Sequence, residues 1–293
     1  MTLVTQGVGA VGFMLARPAR LLGIEPFHME LIAGIEERLG GEGHSLLLHV
    51  VPDIEAEIAV YRRWAEGALV DAVIVTNLLR DDRRLEVLTE IGLPTVVVGG
   101  PRRDLPFTNV WIDNAQAMRD AVAHLAGLGH TALARVSGPS GLAHTRARTE
   151  AFEQECTARG LTGVVVEADY SEESGARATR SLLGRAGAPS AIVYDNDVMA
   201  VAGLGVAAEL DVAVPGSLSI LAWDDSTLCR LASPPLSVMS LDVHGMGALA
   251  ADCVLNVLAG GPVLSHVAPQ PHLVPRGSTA APQGSPGLPG RAG

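Results

Sequence analysis

Aromatic residues are scarce in this chain of 293 residues: four Phe, three Tyr and three Trp make up 3% of it, although 48% is hydrophobic. A core of that composition rests on small aliphatic side chains, as helix-on-sheet packing permits. Basic charge is also short. The 21 Lys and Arg residues face 32 Asp and Glu, for a net charge of −11, and no basic run forms a stripe or a tail. An acidic body of this kind is a poor electrostatic partner for DNA, RNA or anionic membrane. There are three cysteines, Cys156, Cys229 and Cys253. Their odd number and apolar surroundings read as buried free thiols in a reducing compartment rather than as a disulfide framework. No charged n-region leads into a long apolar stretch at the N-terminus, and "AVGFMLA" (10–16) is too short for a signal peptide or a membrane span. The expectation is a soluble, cytoplasmic protein with no membrane partner.

What is present is an alternation. Strand-like apolar runs fall at 10–16, 45–51, 71–77, 94–100, 131–137, 163–168, 190–195 and 217–223. They lack a clean two-residue period, so both faces of each strand should be covered, as in a parallel sheet flanked by helices. Helical patterns lie between them, near 27–40, 53–66, 82–91, 114–128, 143–159, 172–185, 197–210 and 243–259. The βαβα order predicts an α/β fold with right-handed crossovers. Two smaller sheets suit this length better than one large one. The first four βα units make one natural subdomain, closed by "GLGH" (127–130), and a second set starts at "TALARVS" (131–137). From about 277 the chain is Gly, Pro and Ser-rich and is expected to be disordered. "LVPRGS" (273–278) resembles an engineered protease site, but no purification tag follows it and it is read as native.

Enzymatic signatures are missing. "GVGAVG" (7–12) matches G-x-G-x-x-G by letter, but it leads into a strand instead of following one and opening a helix, so it cannot aim a helix N-terminus at a pyrophosphate. There is no P-loop, G-x-S-x-G or H-E-x-x-H pattern. His44 and His49 have no Cys or carboxylate at metal-ligand spacing. The chain is read as a non-enzyme with no cofactor and no metal.

A polar residue does recur after strands: Asp113 after "NVWI", Asp169 and Tyr170 after "GVVVEA", Asn196 after "SAIVYD", and Asp224 and Asp225 after "SLSILAW". In a parallel sheet these ends share one edge, where open α/β folds bind ligands. Any one of them also reads as a helix cap, Asn196 above all, and the two roles are compatible. Four in register favour a polar pocket.

Three blocks carry a family resemblance: "GVVVEADYSEESGARATRSLL", "AIVYDNDVMAVAGLGVAAELDVAVPGSLSILAWDD" and "PPLSVMSLDVHGMGALAADCVL". With "IEPFHMELIAGIEERLGGEGHSLLL", "DNAQAMRDAVAHLAGLGHTAL" and "RARTEAF", they resemble the effector-binding core of LacI/GalR-type bacterial transcriptional regulators over about residues 9 to 279. The resemblance implies a periplasmic-binding-protein-like fold of type I, with two Rossmann-like α/β subdomains, parallel sheets and three crossovers. These are expected over 9–129 plus 242–262 and over 130–240 plus 266–276, with crossings near 129–131, 239–242 and 262–266 and a disordered tail at 277–293.

Residue by residue, the family's pocket pattern falls on Phe27 and His28 at the start of the first helix and on Asp113, the acidic position. It also falls on His144, a polar contact; Arg148, four residues before Phe152; Tyr170, the aromatic of "ADY"; and Asn196 and Asp224 of the "ND" and "DD" blocks. Trp223, bulkier than usual in "AWDD", offers a further stacking surface. Two departures are Leu241, where a polar residue is usual, and the two pocket histidines. The set suits a sugar, polyol or nucleobase-like effector: carboxylates and Asn accept from hydroxyls, Arg donates in pairs, and aromatics cover apolar faces.

The implied function is the effector-sensing and dimerisation core of a LacI-type regulator. Such a core acts as a homodimer and touches operator DNA only through an N-terminal helix-turn-helix headpiece, which this sequence is expected to lack. The alternative is a solute-binding protein of a sugar importer, which shares the two-lobed fold. Arg148 should lie on the Phe152 side of its helix, one turn nearer the N-terminus, with Asp224 or Asp113 holding its spare donors. The competing reading is a surface Arg paired with Glu150 or Glu155.

Overall fold

The absence of polar alternation in the strands has a direct structural cause: every central strand is covered on both faces. The computed structural model describes residues 8–16, 26–99 and 105–282. In chain order its elements are β1 (Ala10–Ala16), α1 (Pro26–Gly40), β2 (Ser45–Val51), α2 (Ile54–Glu66), β3 (Ala72–Val75), α3 (Arg83–Ile91), β4 (Thr95–Gly99), β5 (Thr108–Trp111), α4 (Asn114–Gly127), β6 (Ala132–Ser137) and α5 (Ala143–Ala158). They continue with β7 (Thr162–Glu167), α6 (Glu172–Leu183), β8 (Ala191–Tyr194), α7 (Asp197–Glu209), β9 (Ser219–Trp223), α8 (Thr227–Leu231), β10 (Ser237–Ser240), α9 (Val243–Leu258), β11 (Ser265–Val267) and β12 (His272–Val274).

The strands form two six-stranded sheets, ordered β11-β5-β4-β3-β1-β2 and β12-β10-β9-β8-β6-β7. All ladders are parallel except β10–β12, which is antiparallel. This is the doubly wound α/β architecture expected from the alternation. The chain divides into two units: 1–114, 141–144 and 241–271 in the first, and 115–140, 145–240 and 272–293 in the second.

In the first unit, Val11, Phe13 and Leu15 of β1 pack with Leu31, Ile35 and Leu39 of α1 and with Met246, Ala250 and Val254 of α9. Met14, Val73, Val75 and Val97 face the other way, onto Tyr61 and Trp64 of α2 and Leu85 and Leu88 of α3. Helix starts are written in short polar side chains: the Asp53, Asp82, Ser171, Asn196 and Asp242 side chains each accept a backbone N–H of the first turn they cap.

The expected boundaries need correction in four places. Helix α4 belongs to the second unit, not the first: Ala117, Met118, Ala121, Val122 and Leu125 bury against Leu133, Val193, Leu221 and Met239 of the second sheet. The last crossing falls at 271/272 rather than 262–266, because Ser265–Val267 pairs with Asn109–Trp111 at the edge of the first sheet. Residues 141–144, expected in the second subdomain, belong to the first: Leu142 forms a bridge with Leu79, and the Ala143 N–H donates to Leu78 O at 2.8 Å. The tail is not disordered from 277. Ser278 O accepts the Ile220 N–H (2.9 Å), the Ser278 hydroxyl donates to Ile220 O (2.6 Å), and the Ala280 N–H donates to Ser219 Oγ (3.1 Å). "LVPRGS" is thus built into the second sheet. Residues 283–293 of the expected tail, and Gly7 of "GVGAVG", lie outside the described residues.

Helices α1 and α9 cross at backbone distance. A Cβ on Gly34 would stand 2.0 Å from His244 O, and one on Gly247 would stand 2.3 Å from Leu31 O. On helix propensity alone, Gly→Ala in a helix interior stabilises by about 1 kcal/mol. Here the added methyl meets backbone, which cannot swing aside. Gly247→Ala and Gly34→Ala are therefore expected to destabilise the protein by about 1–3 kcal/mol, the usual cost of overpacking. Urea denaturation checks this: a midpoint equal to or above the wild-type value would refute the close crossing.

Candidate functional site

An arginine in the middle of a strand buried on both faces needs a counter-charge. Arg135 is that residue in β6, and it is fully buried. Its Nε and Nη2 donate to Asp195 Oδ1 (2.8 Å) and Oδ2 (2.6 Å), its Nη1 donates to Thr149 Oγ1 (2.6 Å), and Nη2 also reaches Thr145 O (3.3 Å). Asp195 directly follows β8, which pairs with β6. It also accepts the Gly138 N–H at 3.1 Å. Burial pushes the Asp195 carboxyl up, but Arg135, Arg148 and the hydrogen bonds outweigh it and hold the group below the usual carboxylate range.

This pair forms the floor for a second arginine. Arg148 of α5 is 8% exposed, and its guanidinium carbon lies 3.9 Å from the centre of the Trp223 ring, a cation–π stack. Arg148 Nη1 stands 4.0 Å from Asp195 Oδ2. Burial lowers the proton affinity of Arg148, and the nearby Asp195, Tyr170 and Asp224 offset this only in part. The expectation that Arg148 turns inward on the Phe152 side agrees with its burial. The surface alternative fails because Arg146 pairs with Glu150 and Arg159 with Glu155. Within this unit the carboxylates near Arg148 are Asp195, 4.0 Å from Nη1, and Asp224, which adds a through-space attraction.

Asn196 is the N-cap of α7. Its Oδ1 accepts the Met199 N–H (3.0 Å), and its Nδ2 donates to Tyr170 O (3.0 Å). The amide therefore ties the β7–α6 turn to the start of α7 and retains one N–H and one lone pair. Tyr170 sits at φ +70, and its hydroxyl lies 3.3 Å from Thr145 Oγ1. A Cβ on Gly138 would come within 2.1 Å of the Tyr170 ring, so glycine is required there. Asp224 follows β9 at φ +68, and its N–H donates to Met239 O at 3.1 Å. Trp223 is 1% exposed, and its indole Nε1 has no hydrogen-bond partner among the described residues.

Arg148, Tyr170, Asn196, Trp223 and Asp224 are thus brought together in the second unit, at the carboxyl edge of its sheet. Sequence reasoning missed Arg135, Thr145 and Gly138. The lone Arg inside "TALARVS" was the available signal for the first.

The other four expected residues belong to the first unit. Phe27 and His28 open α1, with rings edge to face at 5.4 Å, and His28 is buried. Asp113 follows β5, and its N–H donates to Gln270 Oε1 at 2.9 Å. His144, in the first turn of α5, is half-buried. No group of three or more His, Cys, Asp or Glu among the described residues is placed to hold a metal ion.

Asp224 gives a pH signature. Burial raises its carboxyl to about 7; Arg148 opposes this, and Asp197 and Asp195 add to it. An unfolded Asp releases its proton near 3.9. Between those values the native state binds more protons than the unfolded state, so this group's contribution to stability falls as pH rises, and the loss is complete above about 7. Asp224→Asn is therefore expected to gain melting temperature relative to wild type between pH 5 and pH 8, by a few degrees. A difference that stays constant across that range in scanning calorimetry would contradict the assignment.

The family model of the periplasmic binding protein-like domain matches residues 122–279. The chain is 33% identical over 235 residues to the HTH-type transcriptional regulator MalR of Streptomyces coelicolor, covering 78% of this chain and 68% of that protein. It is 28% identical over 267 residues to the HTH-type transcriptional regulator CelR of Thermobifida fusca, covering 88% and 77%. Among solved structures, a LacI family transcriptional regulator from Bifidobacterium animalis superposes with a TM-score of 0.86 at 34% identity, covering 94% of this chain and 98% of that one. A complex of the transcriptional regulator CelR with cellobiose superposes with a TM-score of 0.84 at 27% identity, covering 92% and 84%. These relatives are regulators, which decides against the importer alternative. The chain belongs to the LacI family of transcriptional regulators and carries that family's effector-binding core.

Proposed function

We propose that this core senses a sugar-like effector and that the Arg148–Trp223 stack is its central contact. The stacked guanidinium and indole carry the reading. Arg148 is held between an aromatic face and the Asp195 carboxylate, and beside it the buried Trp223 N–H has no acceptor among the described residues. A polyhydroxylated ring supplies what this arrangement calls for: an oxygen for the Trp223 N–H, and hydroxyls to donate to Asp224 and Asn196. Phe27, His28, Asp113, His144 and Tyr170 are the further proposed contacts. The CelR–cellobiose complex supports a saccharide over a nucleobase. No catalytic role is proposed.

Effector occupancy acts by its differential affinity for two states of the core, and operator DNA is the output. The site of action is accordingly the cytoplasm; no helix among the described residues is long and apolar enough to cross a membrane.

We also infer a homodimer. On α7, Gly205, Ala208 and the following Leu210 are exposed, and Val201 is half-buried. Leu228 and Leu231 of the neighbouring α8 are 42% and 79% exposed. These residues are the proposed contact between two copies of the chain.

Isothermal titration with cellobiose, maltose and adenine tests the effector class. A sugar is expected to bind, and Arg148→Ala is expected to weaken it by about ten- to a hundred-fold, the effect of losing a hydrogen bond to a charged group. Arg148→Lys keeps the charge but loses the planar fork and is expected to fall between the two. Binding by adenine alone, or unchanged sugar affinity in folded Arg148→Ala, would overturn the reading. For the dimer, sedimentation equilibrium should give twice the chain mass for wild type and a shift toward monomer for Leu231→Asp. A monomeric wild type at all concentrations would remove the inference.

A further inference from the structure

Glu57, Asp82 and Arg84 form a second buried charge cluster, in the first unit, where helices α2 and α3 meet. All three nitrogens of the Arg84 guanidinium are engaged. Nη1 donates to Glu57 Oε1 (3.0 Å) and Oε2 (3.1 Å), Nε donates to Asp82 Oδ1 (2.9 Å), and Nη2 donates to Asp82 Oδ2 (2.6 Å) and to the backbone oxygen of Asn77 (3.0 Å). Tyr61 OH donates to Glu57 Oε1 at 2.6 Å, and Asp82 Oδ2 also accepts the Leu79 N–H at 3.0 Å. Two carboxylates and one guanidinium inside a core are an expensive way to join two helices, which apolar side chains join as well.

The Asn77 and Leu79 contacts show what apolar side chains would not supply. They grip the turn after β3, which has no regular structure of its own and in which Asn77 is held at φ +52. That turn is in contact with the segment leading into α5. Leu79 bridges to Leu142, and Leu78 O accepts the Ala143 N–H, one residue before His144.

We propose that Arg84 is a positioning residue: with Glu57 and Asp82 it fixes the turn Asn77–Leu79 and, through the Leu79–Leu142 and Leu78–Ala143 pairings, the placement of His144 at the start of α5. The functional weight of this rests on the proposed effector site, of which His144 is a member, but the positioning itself is measurable without any ligand.

Amide hydrogen exchange of the ligand-free protein tests it, read at Leu79 and Ala143, with Ile74 and Val97 in the sheet as internal references. Arg84→Lys keeps a positive charge among the two carboxylates, but a single ammonium cannot span Glu57, Asp82 and Asn77 O. Tyr61→Phe is the control, since it loosens the same cluster without touching the turn. Exchange at Leu79 and Ala143 is expected to accelerate at least about ten-fold in Arg84→Lys, with Ile74 and Val97 unchanged, and not in Tyr61→Phe. Unchanged exchange in Arg84→Lys, or equal acceleration in both variants, would reduce Arg84 to a helix-joining role and overturn the proposal. Should Arg84→Lys fail to fold, the double variant Glu57→Gln/Arg84→Gln, which removes one charge of each sign, carries the same measurement. Failure of every sugar in the titrations would leave this result standing, and loss of this result would leave the effector reading intact.

Discussion

The buried ion pair of Arg135 and Asp195 is the constraint around which the second unit's site is arranged. Both side chains are fully excluded from water. Such a pair adds little net stability over apolar residues, but removing one partner strands the other and costs about 3–5 kcal/mol. Its value here is geometric. Arg135 also holds Thr145 and Thr149 on the first turns of α5, and Asp195 holds the Gly138 N–H after β6. These contacts fix the end of one strand, the start of one helix and the carboxylate that faces Arg148.

Arg148 can then remain cationic in a place that opposes its charge. One side of its guanidinium is covered by an indole, and Asp195 compensates it electrostatically. Trp223 and Asp224 come from the end of β9, Asn196 from the start of α7, and Tyr170 from the turn that the Asn196 amide braces. A parallel sheet delivers all of these ends to one edge, which is why residues so far apart in sequence share one surface. A buried guanidinium held by carboxylate and backbone oxygen recurs in the first unit, where Arg84 joins two carboxylates, Glu57 and Asp82, and the backbone oxygen of a strand-end turn.

Much of this was legible in the sequence because it follows from local rules. The βαβα alternation, the apolar strands without polar alternation and the short polar caps are nearest-neighbour properties, and they foretold the parallel sheets and most of the helices. The recurrence of Tyr170, Asn196 and Asp224 after strands marked the carboxyl edge of the second sheet, whereas Asp113, read in register with them, follows a strand of the first sheet. Asn196, read as cap or contact, is a cap in the structure. What the sequence hid was long-range. Nothing local says that α4 packs on the strands that follow it rather than those that precede it, or that Ser265–Val267 returns to β5. Residues 277–280 look disordered by composition, yet Ser278 lies between β9 and β10, where its hydroxyl accepts the Ser237 N–H. The Arg135–Asp195 pair joins residues sixty positions apart, and only the adjacency of β6 and β8 brings them together.

We propose that the effector meets the Arg148–Trp223 stack. Trp223 is one of three tryptophans, and the other two, Trp64 and Trp111, lie in the first unit. In 15N-labelled protein the indole N–H of Trp223, assigned with a Trp223→Phe variant, reports on that stack directly. The sugar that raises the melting temperature is predicted to shift the Trp223 indole resonance in a saturable way, with a midpoint equal to its calorimetric dissociation constant, while the Trp64 resonance stays in place. A sugar that saturates the protein and raises its melting temperature while the Trp223 resonance does not move would contradict the account.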